Sequence, residues 1–144
     1  MPSVTLETGT SAPVASLTTR QALQQAVAAH QEGRLIDAER LYLAIVQAEP
    51  AHPDALHNLG CVQMQCSNPL AALPWFQAAL EAQPQNRQCW LSFADALLAV
   101  GRADDALQVM LTGRSAGLDG EDADLLEARI SVTWATRPDL ANTP

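Results

Sequence analysis

From Thr19 onward the apolar positions recur at helical spacing, and Gly or Pro interrupts them at regular intervals. The pattern predicts helices at about 19–32, 35–48, 53–66, 69–82, 87–100, 103–116 and 121–135. Alanine and leucine dominate these segments, and both lose little on entering a helix. Residues 1–18 are rich in Ser, Thr, Pro and Gly without a periodic apolar face, so they are expected to be a flexible leader outside the fold; residues 138–144 form a tail.

The interruptions are regular enough to test for repeats. Aligning GRLIDAERLYLAIVQAEP, SNPLAALPWFQAALEAQP and GRADDALQVMLTGRSAGL places Ala38, Ala72 and Ala106 in register at a spacing of 34 residues. Tyr42, Phe76 and Met110 follow four residues later, and Pro50 and Pro84 stand twelve after the first two alanines. Ahead of the second alanine lie Leu56, Leu59 and Gly60; ahead of the third, Trp90, Phe93 and Ala94. In the first copy Ala22, Gln25 and Ala26 take those places, a weaker match that suits a terminal unit. A small residue lets two antiparallel helices approach, and the large one a turn later fills the gap beyond. Gly33 and Gly101 supply the turn within a pair, with Asn68 expected as their substitute in the middle copy, and Pro74 is expected to kink its helix.

These landmarks resemble the tetratricopeptide repeat (TPR) pattern, W-x2-L-G-x2-Y, then A-x3-F, then P, at its period. The resemblance covers residues 19–120 and implies an all-α fold, a right-handed α-α superhelix of antiparallel helix pairs. It divides the chain into repeats at 19–52, 53–86 and 87–120, with a C-terminal capping helix at 121–137.

The last helix has Asp119 as its expected N-cap, and Glu121, Asp122 and Asp124 complement the positive end of its dipole. Leu125, Leu126, Ile130, Val132 and Trp134 spread over roughly 200°, wider than the ~100° stripe of a surface helix. One half can cap the third repeat; the other meets water, a partner, a second copy of the chain or further repeats. Leu125, Val132 and Trp134, with Trp75 on the convex side, are therefore candidate outer or dimer contacts, the alternative being coverage by neighbouring charged side chains.

Charge narrows the partners. The net charge is −8, with eight arginines and no lysine, so phosphate backbones and anionic lipid are repelled: nucleic acid and membrane surfaces are not expected. The arginine-only basic set, with the alanine content, hints at a GC-rich bacterial gene. Cys61, Cys66 and Cys89 form no CxxC pair and cannot all pair within one chain, which fits reduced thiols in the cytoplasm. No apolar run approaches the ~20 residues of a membrane span.

No phosphate-binding, nucleophile-elbow, zinc-protease or calcium-loop motif occurs, so no catalytic residue, cofactor or metal is expected. His57 and Cys61 share a helix face, as zinc ligands or a nucleophilic pair would, but no third and fourth ligand or orienting group accompanies them.

The TPR resemblance implies a concave face lined by the first helix of each repeat. Carried onto this chain, its positions are Arg20, Leu23, Val27 and His30; Asp54, His57, Asn58, Cys61 and Met64; and Gln88, Leu91, Ser92, Asp95 and Leu98. The centre is apolar with scattered polar groups, which suits an extended or helical peptide. Of the clamp by which some TPR domains hold acidic chaperone tails, only Asn58 matches; Leu23, Val27, Gln88 and Ser92 fill the other places, so no carboxylate clamp is expected. Three readings follow: an adaptor or scaffold without catalysis; a chaperone resembling those of type III secretion translocators; and the regulatory N-terminal part of a glycosyltransferase or sulfotransferase.

Overall fold

The computed structural model of the protein describes residues 3–5 and 16–137. Among the described residues seven helices run in order: α1 (Thr19–Gln31), α2 (Leu35–Ala48), α3 (Pro53–Gln65), α4 (Pro69–Ala82), α5 (Arg87–Ala99), α6 (Ala103–Ser115) and α7 (Glu121–Ala135). Each agrees with its sequence expectation to within one residue at either end. Consecutive helices pack on one another, α1 with α2, α3 with α4 and α5 with α6, and each pair stacks on the next. Ala38, Ala72 and Ala106 have no exposed surface, and Tyr42, Phe76 and Met110 are among the largest fully buried side chains. Gly60 leaves the space that the Phe76 ring occupies. The helix α4 continues through Pro74.

The turn inside each pair repeats in one conformation. Gly33 (φ 77°), Ser67 (φ 57°) and Gly101 (φ 83°) occupy the same register position in the left-handed region. Ser67, and not Asn68, thus replaces glycine in the middle repeat. Asn68 serves instead as the N-cap of α4, its side chain accepting from the Ala71 N–H at 3.4 Å.

Part of the expected leader belongs to the fold. Ser3–Thr5 (β1) and Ser16–Thr18 (β2) pair antiparallel with Val4 opposite Leu17, and β1 lies against α1 and α2. Val4 is only 1% exposed and joins the apolar cluster of Ala22, Ala26 and Tyr42. A first repeat has no preceding helix pair to cover its flank, and here a strand does so. Thr18 then caps α1 through a box with Gln21. The rest of the leader and the 138–144 tail lie outside the described residues.

The N-cap of α7 is Gly120 (φ 105°), not Asp119. The left-handed turn at Gly120 leaves the Asp119 carbonyl to accept from Arg87 Nη2 at 2.8 Å. One face of α7 packs on the third repeat, burying Ala123, Leu126 and Ile130. Another carries Asp124, Glu127, Ala128 and Ser131, one 34-residue step beyond Trp90, Phe93, Ala94 and Leu97, which pack in the third repeat's core. Arg114 holds Asp124 at 2.5 Å and Glu127 at 2.9 Å along that polar flank.

Candidate functional site

The first helix of each repeat presents equivalent positions one step apart: Arg20, Asp54, Gln88 and Asp122; Leu23, His57, Leu91 and Leu125; Val27, Cys61, Asp95 and Arg129. The stacking brings a side chain near the one about a repeat further on, and three hydrogen bonds use that geometry. His30 Nε2 donates to Gln65 Oε1 at 2.8 Å, His57 Nε2 lies 2.8 Å from Ser92 Oγ, and Arg87 Nη2 donates to Asp122 Oδ1 at 2.5 Å. Each joins residues 35 apart and ties neighbouring first helices together. Arg129 Nη2 adds a bond to Asp95 Oδ1 at 3.1 Å.

Two hollows adjoin on this face. Between α5 and α7, Gln88, Leu91, Ser92, Asp95, Asp122, Leu125, Leu126 and Arg129 enclose about 360 Å³. Beside it, Cys61, Met64, Gln65, Phe76, Ser92 and Asp95 enclose about 210 Å³. Ser92 and Asp95 form the wall common to both.

Of the residues expected to line a groove, Gln88, Leu91 and Asp95 line the larger hollow, and Cys61, Met64 and Asp95 the smaller. Leu23 and Val27 lie against the N-terminal core, partly buried, and Leu98 does the same in the C-terminal one. His30, whose Nδ1 is 3.2 Å from the Tyr42 hydroxyl, and His57, packed at a tilt on Phe76, are structural ties as much as lining. Asn58 is half-buried, interacting with Tyr42 and His57.

The outer-contact residues divide. Leu125, 62% exposed, belongs to the larger hollow, whereas Val132 (64%) and Trp134 (39%) lie outside both, Trp134 under the Arg137 guanidinium at 5.1 Å. Trp75 is not the exposed ring expected: it is partly buried against the apolar clusters of the first two repeats, because stacking covers this side of α4. Asp122, Leu126 and Arg129 also line the larger hollow but were not expected there from sequence, although they follow Gln88, Ser92 and Asp95 by the same 34-residue step.

Burial pushes the Cys61 thiol up to about 11, away from the thiolate that nucleophilic attack needs. Its sulfur lies 3.8 Å from both His57 ring nitrogens. Among the described residues no group of three or more His, Cys, Asp or Glu could hold a metal ion, and no helix is long and apolar enough to cross a membrane.

Burial also lowers the His57 pKa from its ordinary 6.5, outweighing Asn58 and Asp54, which favour the charged ring. Below 6.5 the unfolded chain takes up a proton that the folded chain refuses, so stability present at higher pH is lost as pH falls from 6.5 through the lowered value. The melting temperature should fall over that interval, and His57→Gln should flatten this part of the profile. Equal slopes for the two proteins would remove His57 as the cause.

The tetratricopeptide repeat family profile matches residues 34–112, and the chain belongs to that family. Its right-handed superhelix is that of solved TPR domains. The first TPR of Spaghetti (RPAP3), bound to the HSP90 peptide SRMEEVD, superposes with a TM-score of 0.76 at 14% identity, covering 82% of this chain and 94% of that one. The yeast Sti1 TPR2B domain, in complex with pHsp70, gives 0.74 at 17% identity, covering 79% and 96%. The Yersinia enterocolitica type III secretion chaperone SycD, in complex with a peptide of the translocator YopD, gives 0.69 at 16% identity, covering 82% and 90%.

Proposed function

We propose that this chain is an interaction module that holds a peptide or protein segment on its concave face and catalyses no reaction. The observation that carries the reading is the pair of adjoining hollows across α3, α5 and α7, whose apolar floors are framed by side chains already fixed to one another. Such a face binds with little loss of its own freedom, and apolar anchors supply most of the affinity. The peptides held by RPAP3 and SycD, and the pHsp70 complex of Sti1, are consistent with this use of the fold. Leu23, Val27, His30, His57, Asn58, Cys61, Met64, Gln88, Leu91, Asp95 and Leu98 form the proposed groove, with Leu125 added to it. The unpaired thiols suit a reducing cytoplasm. Exposed Val132 and Trp134 leave α7 a surface for a second copy.

Leu91 is 8% exposed, so a charge there would damage the fold as well as the groove; Leu125 and Met64 separate the two effects. Proteins captured by the wild-type chain from its own cells should be recovered about tenfold less on Leu125→Glu and Met64→Glu, each verified as helical, since a lost apolar anchor is worth about 1–3 kcal/mol. Equal recovery, by quantitative mass spectrometry, would place the partner elsewhere.

A further inference from the structure

We infer that the groove selects segments carrying a basic side chain between two apolar ones, with Asp95 as the charge contact. The inference rests on the groove reading above. Asp95 stands in the wall common to both hollows, so a segment filling the two apolar floors must pass over its carboxylate.

That carboxylate is accessible and weakly held. Its side chain is 44% exposed, and Arg129 reaches it through a single bond, Nη2 to Oδ1 at 3.1 Å, from a side chain 65% exposed. Such a pair is worth little, and an incoming cation can replace or join it. Asp122, the other acid of the larger hollow, is different. Arg87 grips both of its oxygens and holds its carboxyl down at about 2.

The rest of the molecule favours the same sign. Six of the eight arginines, Arg87 and Arg129 among them, already face a carboxylate within 4 Å, and the chain carries a net charge of −8. An acidic segment would meet Asp95, and the Arg87 and Arg129 guanidiniums beside the larger hollow already face carboxylates, whereas a lysine or arginine would meet a carboxylate with an oxygen to spare.

Random peptides displayed on phage test this directly, selected on the intact wild-type chain and counted again on Leu125→Glu. The expected winners are lost on Leu125→Glu and place Lys or Arg between apolar residues. In synthetic copies, Lys→Gln should weaken binding about fivefold to the wild type and leave binding to Asp95→Asn unchanged. Circular dichroism should be the same for all three proteins. Winners rich in Asp or Glu, or a lysine preference that survives Asp95→Asn, overturn the basic selectivity and leave the groove standing. Peptides that bind equally to Leu125→Glu, or no winners at all, overturn the groove itself.

Discussion

Gly60→Ala should destabilise the fold by about 2 kcal/mol, although alanine is the better helix former by about 1 kcal/mol. An added Cβ would stand 2.5 Å from Phe76 Cδ1 and closer still to Cε1. The ring cannot swing away: Phe76 is buried in a cluster with Ala72, Leu73 and Leu91. Overpacking a site of this kind costs about 3 kcal/mol gross, and the helix-propensity gain offsets a third of it. For a chain of 144 residues the melting temperature should drop by roughly 6–8 °C. Phe76→Leu alone also destabilises, by trimming a packed ring, but it opens the space that the methyl group needs. The double variant should therefore be at least ~1 kcal/mol more stable than the sum of the singles. Additive losses in chemical denaturation would show that the Gly60–Phe76 contact does not limit how closely α3 and α4 approach.

Val4→Asp should cost about 2 kcal/mol, the worth of burying one valine side chain. A charge cannot remain at a site 1% exposed without a partner, so β1 would leave α1 and α2, and the loss is bounded by what the strand contributes. Hydrogen exchange gives the sharper reading. Amides of α1 and α2 should exchange faster while those of α5 and α6 keep their protection, because repeats contact mainly their neighbours. Uniform loss of protection, or none, would show that the strand does not serve as a local cover for the first repeat.

Most of the fold was legible in the sequence because a TPR helix pair states its packing rule locally. Ala38, Ala72 and Ala106, each with a large residue four positions on, fix which faces meet before any long-range contact is known. What escaped depends on contacts or backbone states that composition does not encode. A strand of three residues has no periodicity to read, and Val4 is buried only through β2 and the helices behind it. Ser67 takes a left-handed conformation usually reserved for glycine, so propensity pointed to the neighbouring asparagine. Trp75 looked outward from one repeat alone, yet the cover comes from the repeat before it. The lining of the two hollows was half legible. The positions in α3 and α5 followed from the family register; Asp122, Leu125 and Arg129 needed that register carried one step into α7, a helix read as a cap with an outer face.

The polar flank of α7 has a consequence for how copies of the chain meet. An array of stacked repeats exposes, at each end, surfaces made to receive the next unit, and a head-to-tail contact between identical molecules never closes on itself. Where the third repeat presents Trp90, Phe93 and Leu97 to its partner helix, α7 presents Asp124, Glu127 and Ser131, two of them already held by Arg114. Docking a helix there would strand those carboxylates away from water. A helix stacked head-to-tail on this flank would have to bury or break the Arg114 cluster, a cost that disfavours open-ended growth through it.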